Sequence, residues 1–261
     1  MPFAAVALVV TALALTQVGA GQGLQARADG AISGVVVDSA TRQPIADAVV
    51  TLGALGARNI LAAFEFDSGV LQLTEAGTQH RAGLHVVAGE DGLRALNAGG
   101  VEPLEADLAT FAASLRSENH TLKRALTDPR LFSGIGNAYS DEILHRAKLS
   151  PVSLTSSLAD DAVARLHEAT RATLAEWTER LRAEAGGEFP EKVTAFREGM
   201  AVHGRYRQPC PVCGAPVQRI VYAENEANYC ARCQTGGKVL ADRALSRLLH
   251  KSWPRNIDEL E

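Results

Sequence analysis

The chain has 261 residues, 46% of them hydrophobic and 21% charged, which excludes wholesale disorder and allows one large domain or two modest ones. A formal net charge of -4 at pH 7 excludes a global positive field, so contact with a polyanion has to come from local patches. Charge is unevenly spread: no ionisable side chain precedes Arg27, the first lysine is Lys123, and residues 205–251 are visibly basic.

Residues 3–15 form an apolar run the length of a signal-peptide core, and Val18-Gly19-Ala20 supplies small residues for cleavage, although no Lys or Arg precedes the run. It is too short to span a membrane, and a buried helix or strand is the alternative reading. In "GAISGVVVDSATRQPIADAVVTL", strands are predicted at 32–37 and 48–52 around a polar turn. This stretch resembles the opening hairpin of the carboxypeptidase regulatory-like β-sandwich, a domain common in exported proteins. From Asn59, two strands are predicted around Asp67-Ser68-Gly69, and "GLHVVAG" reads as another. Residues 103–117 read as an amphipathic helix with Leu104, Leu108, Phe111 and Leu115 on one face. A helix from about Thr121, the turn "SGIGN", a helix through Leu144 and a long helix over 159–185, stopped by Gly186-Gly187, follow. A hairpin between two cysteine pairs and a basic helix over 238–250 complete the chain.

All four cysteines lie in two CxxC pairs, Cys210 with Cys213 and Cys230 with Cys233, sixteen residues apart. That is zinc-ribbon spacing, and two disulfides are the alternative. Four thiolates would close the coordination sphere and leave no position for water, so the expected zinc is structural.

The other informative stretch is "ENHTLKRALTDPRLFSGIGNAYSDEILHRAKLSP". Gly134 and Gly136 sit where the chain turns sharply between helices, and Asn137 is expected to open the next helix as its N-cap. Exposed amides at a helix N-terminus form a phosphate site, to which Asn137 and Lys123 could add side-chain contacts. A packing turn between two helices is the plainer reading of a lone GxGN.

With the cysteine set downstream, residues from about 59 to 261 resemble the formamidopyrimidine-DNA glycosylase and endonuclease VIII family. "LKRALTDPRLFSGIGNAYSDEIL" resembles the family's helix-two-turn-helix, "FPEKVTAFREGMAVHGRY" its connection to the zinc finger, and Cys210, Cys213, Cys230 and Cys233 its zinc ligands. The resemblance implies an α+β chain. Its expected parts are a signal-like segment (1–20), a hairpin fragment (21–58), a remnant of the glycosylase β-sandwich (59–100), a helix-two-turn-helix domain (101–200), and a zinc-ribbon β-hairpin with a C-terminal helix (201–261). It further implies a monomer that binds double-stranded DNA carrying a damaged base or abasic site, with one structural zinc and no small-molecule cofactor. Lys123, Gly134, Gly136 and Asn137 would face backbone phosphates, and Arg81 the opposite strand. The cytoplasm is the location the family implies, and export the one the N-terminus implies.

The family's reaction uses an N-terminal proline amine that attacks the sugar C1′, releases the base and then eliminates phosphate. Pro2 supplies such a proline once Met1 is removed, but Phe3 stands where the family has a proton-transferring glutamate. Losing one general acid or base typically costs a factor of about 10²–10⁴. The family's N-terminal-domain lysine also has no counterpart before Lys123. Asn225 replaces an arginine five residues before the third cysteine, and His203, where relatives often carry tyrosine, reads as a packing residue. Three functions compete: a glycosylase and lyase acting through Pro2, a damaged-DNA binder without the chemistry, and an exported chimera. The missing glutamate and lysine favour the second.

Overall fold

The computed structural model describes residues 89–186, 196–222, 225–240, 254 and 256–259, together with the backbone of six strands between residues 6 and 74. The chain divides into two compact units, one comprising Met1–Asn97 with Ala185–Pro190 and the other Ala98–Glu184 with Glu191–Glu261. The helix-two-turn-helix and zinc-ribbon segments thus fall within a single unit.

The first unit contains two three-stranded antiparallel sheets. One has the order β1 (Val6–Val9), β2 (Val35–Asp38), β3 (Pro44–Ile45); the other has the order β4 (Val49–Thr51), β5 (Ile60–Phe66), β6 (Gly69–Thr74). Part of the N-terminal apolar run is therefore a strand, with Val6 opposite Asp38 and Val9 opposite Val35. Among the described strands, the hairpin expected from residues 32–37 and 48–52 does not form. β2 is flanked by β1 and the two-residue β3, while β4 pairs with β5, Val49 opposite Glu65. Pro44 has no N–H to offer a further strand and suits the edge position it takes. The β5–β6 hairpin forms as the sequence predicts, with Phe66 opposite Gly69 around Asp67-Ser68. A helix α1 (Gly89–Leu96) begins at the last residue of the expected strand 83–89, whose other residues lie outside those described.

In the second unit, α2 (Leu108–Arg116) starts five residues later than its apolar pattern suggests. Asp107 stops it: its backbone is extended and its carboxylate accepts the Thr110 N–H at 2.8 Å. Phe111 and Leu115 are fully buried, whereas Leu104 and Leu108 remain exposed. Thr121 caps α3 (Leu122–Thr127), and α4 (Asn137–Ala147) and α5 (Asp160–Ala185) follow. Phe111, Leu115, Leu122, Leu126, Ile143 and Leu166 form the main core of these helices. The Phe111 ring lies 4.6 Å from that of Phe132. Burying each large apolar side chain contributes roughly 1.5–3 kcal/mol.

A second core forms around the cysteines, from Val202, Val217, Ile220, Tyr229 and Ile257, on a hairpin of β7 (Gln218–Tyr222) and β8 (Asn225–Tyr229) followed by α6 (Ala231–Thr235). Residues 241–250, most of the expected basic helix, lie outside those described; Lys238 bridges to Asn256.

The joint between the two cores is polar and sits on α4. The buried Glu142 carboxylate accepts backbone N–H bonds from Ala201 at 2.7 Å, Val202 at 2.9 Å and His203 at 2.9 Å. Replacing it with alanine would leave three donors without an acceptor. Glu142→Ala is therefore expected to destabilise the helix and zinc unit by roughly 3–5 kcal/mol, read as a lowered denaturation midpoint. An unchanged midpoint would show that these amides find other acceptors.

Candidate nucleic-acid interface and zinc centre

Between α3 and α4 the chain turns through Ser133-Gly134-Ile135-Gly136. Gly134 has φ +75°, the left-handed region glycine favours, and Ile135 is buried beneath the turn. Gly136, at φ -95°, is the N-cap of α4; Asn137 is the first helical residue and not the cap the sequence suggested. A Cβ added at Gly136 would meet nothing within 4 Å. Neither backbone strain nor crowding from this chain calls for glycine there, and the space before the helix stays open. Among the described residues no side chain caps α4, and its first turn contains no acid. The positive end of its dipole and its leading amides thus remain available to an anion. The half-buried Asn137 side-chain amide has no hydrogen-bond partner among the described residues.

Lys123 lies beside this turn with its side chain 13% exposed. Its Nζ donates to the Asn137 carbonyl at 2.6 Å and to Asp141 Oδ1 at 2.5 Å, committing two of three donors. Burial lowers its pKa, and the Asp141 carboxylate opposes that shift. The other Asp141 oxygen, Oδ2, accepts from His203 Nδ1 at 2.9 Å and the Asn228 backbone N–H at 3.1 Å. One buried carboxylate thus ties together the lysine, the connection into the zinc ribbon and strand β8. Asp141 and Glu142 lie inside the helix-two-turn-helix motif, where their side chains carry no local sequence signal of this role. His203 packs as expected, stacked on Phe196 at 5.4 Å, and also bonds to Asp141. Pro2 and Arg81 lie outside the described residues.

The four cysteine sulfurs lie within 4.8 Å of one another, with Cys210 to Cys233 at 4.0 Å and Cys213 to Cys230 at 3.4 Å. Tetrahedral zinc with Zn–S bonds of about 2.3 Å needs sulfurs about 3.8 Å apart, so the set fits the ion. All four are free thiols, against the disulfide alternative. Gly214, at φ +77°, closes the first knuckle with its N–H on the Cys210 carbonyl at 2.9 Å. Burial pushes the Cys233 thiol up to about 11, and bound zinc must displace that proton. From α4, His145 Nε2 approaches Cys210 Sγ at 3.3 Å, a contact that orients the thiol. Gln234 accepts the Cys230 N–H at 2.8 Å and donates to the Leu149 carbonyl at 2.8 Å, joining the second knuckle to the end of α4.

A second cluster, Glu118, His120 and Asp128, also has metal-ligating side chains close together. Arg130 already answers it, bonding Asp128 Oδ2 at 2.7 Å and Glu118 Oε2 at 3.4 Å. The side-chain hydrogen bond from Arg130 holds the Asp128 carboxyl down at about 2.

Comparison with known proteins agrees with this geometry. Residues 100–184 match the formamidopyrimidine-DNA glycosylase H2TH domain, and residues 207–236 the zinc finger found in FPG and IleRS. An uncharacterized formamidopyrimidine-DNA glycosylase-like protein of Mycobacterium tuberculosis is 40% identical over 150 residues, 58% of this chain and 93% of that protein. The chain belongs to the formamidopyrimidine-DNA glycosylase family. The formamidopyrimidine-DNA glycosylase of Thermus thermophilus is 38% identical over 144 residues, 53% of this chain and 54% of its own length. The chain thus spans about half the length of that glycosylase. Among solved structures, MutM (FPG) from Thermus thermophilus superposes with TM-score 0.54 at 31% identity, covering 72% of this chain and 75% of its own. The Lactococcus lactis enzyme bound to DNA containing an AP site shares the fold, at 22% identity and TM-score 0.57, over 78% of this chain and 83% of that one.

As a family zinc finger, the ribbon holds one structural zinc on its four cysteines. Chelation is expected to release one equivalent of zinc per chain and to expose the core around Tyr229, measured by metal analysis alongside tyrosine fluorescence. Because zinc binds thiolates, the metal should be lost more readily as pH falls. Cys230→Ser should abolish stoichiometric zinc, and full zinc retention by that variant would contradict the four-cysteine site.

Proposed function

We propose that this protein acts in DNA base-excision repair by binding duplex DNA at a damaged base or abasic site. The observation that carries this reading is the uncapped N-terminus of α4, open before Gly136 and flanked by Lys123. A backbone phosphate fits there, taking the leading amides of α4, the Asn137 side-chain amide and the third N–H of Lys123. Gly134 and Gly136 let the phosphate approach the main chain. Asp141 acts as a positioning residue, since it fixes Lys123 without lying at the open face. A grip on phosphates beside a lesion lowers the cost of holding a nucleotide outside the stack, a cost already small at an abasic site. The reading includes a monomer in the cytoplasm and a contact from Arg81 to the opposite strand. That the Lactococcus lactis relative is bound to DNA containing an AP site supports the class of partner.

The family's chemistry, cleavage of the N-glycosidic bond followed by abasic-site lyase, would require the Pro2 amine in this chain, without the family's glutamate beside it. The grip needs no reacting group and is tested independently of it. Zinc-loaded protein is expected to bind an abasic duplex more tightly than an intact one and to weaken as salt rises. Lys123→Met should lower that affinity about tenfold, with the melting temperature and zinc content of the variant read alongside because Asp141 loses its cation. Equal binding to intact and abasic duplex, or none to either, would overturn the reading. Borohydride trapping on the same duplex reads the chemistry: an adduct mapping to Pro2 assigns lyase activity, and binding without an adduct limits the protein to recognition.

A further inference from the structure

We infer that Tyr206, Arg207 and Arg219 form a second phosphate-binding site beside the zinc ribbon, which takes a DNA backbone phosphate separate from the one at the turn before α4. The inference rests on the duplex-binding reading and extends it to residues outside the glycine turn.

Two guanidinium groups gather on one aromatic ring. The Arg219 guanidinium carbon lies 4.4 Å from the Tyr206 ring centroid, and that of Arg207 lies 5.2 Å from it. The ring attracts each cation, but it does not relieve the repulsion between them. Among the described residues, one acid answers the pair: Glu226 Oε2, 3.4 Å from Arg219 Nη1. Arg207 is exposed and makes no hydrogen bond or ion pair through its side chain among the described residues. Arg130, Arg146 and Arg165, by contrast, are each paired with a carboxylate. Counted over the described residues, the Tyr206 cluster holds one cation in excess, in planar forks that match phosphate oxygens.

The backbone supports the same conclusion. Arg207 has φ +66°, and its main chain is fixed there because its N–H bonds the Val217 carbonyl and the Val217 N–H bonds the Gln208 carbonyl, both at 2.9 Å. Glycine would relax this position, so an arginine here carries strain that the fold itself does not need. Glu226 links the cluster to Lys123. Glu226 reaches Arg219 on one side, accepts from Asn228 Nδ2 at 3.0 Å, and lies near enough to Lys123 to favour its charged form. A duplex backbone offers phosphates at regular spacing, whereas an isolated anion would engage only one of the two places.

Arg207→Gly tests the site without threatening the fold, because glycine removes the left-handed strain. The variant, zinc-loaded and full length, is expected to melt at or above the wild-type temperature. Its affinity for a fluorescein-labelled abasic duplex should fall about three- to tenfold, with the slope of log K against log salt less negative by about 1. Arg219→Gln should weaken binding in the same direction. Unchanged affinity and slope in Arg207→Gly, with wild type binding normally, would overturn the second site and leave the duplex-binding reading intact. Failure of the wild type itself to bind duplex DNA would overturn both.

Discussion

Asp141 and Glu142, adjacent on α4, place two carboxylates in the interior and give them almost nothing but N–H donors. Glu142 takes three consecutive main-chain amides of the segment entering the zinc ribbon. Asp141 takes the Lys123 ammonium, the His203 ring and a strand amide of the ribbon hairpin. A buried carboxylate with unmet acceptor capacity is costly, so this arrangement holds only when all of these partners are in place together. Register follows from that requirement. The connection must arrive with residues 201–203 facing α4, and the hairpin must present Asn228 to the same helix. Three further contacts from the same region, His145 to Cys210 and Gln234 to Cys230 and Leu149, then fix the two knuckles.

This scaffold accounts for the placement of the proposed DNA contacts. α4 offers its open N-terminus at one end, and near its other end it carries the histidine that meets a zinc thiol. Lys123 is held at the open end by Asp141, so its charge is positioned before any ligand arrives, and less ordering entropy is lost on binding. The zinc has no open coordination position and contributes by folding a hairpin whose own core is small. Its effect on the proposed DNA surface is indirect: it sets the hairpin on which Arg219 and Glu226 stand.

Much of this was legible in the sequence where the signal was local. The cysteine spacing specifies four converging sulfurs, Thr121 announces a helix start, and the two glycines mark the turn before α4. The acid pair was not legible, because "SDEIL" on a helix reads as a solvated face and nothing nearby announces amides arriving from sixty positions downstream. Periodicity misled over 103–117: Leu104 and Leu108 share the helical spacing of Phe111 and Leu115, but the Asp107 cap begins the helix after Leu104 and leaves both leucines exposed. The 32–52 hairpin failed for a related reason, since sequence proximity suggested a pairing that β5 took instead. The left-handed backbone of Arg207 has no sequence signature at all, because arginine is not a residue chosen for that conformation.

Amide hydrogen exchange on the zinc-loaded protein measures most directly whether α4 and the zinc ribbon are one body. If the two carboxylates join them, the amides of Ala201, Val202, His203 and Asn228 will exchange only through the same cooperative opening that exposes the interior of α4, with matching free energies. If those four amides exchange through a much smaller opening while α4 stays protected, the ribbon is an independent module. The organising role given to Asp141 and Glu142 would then be wrong.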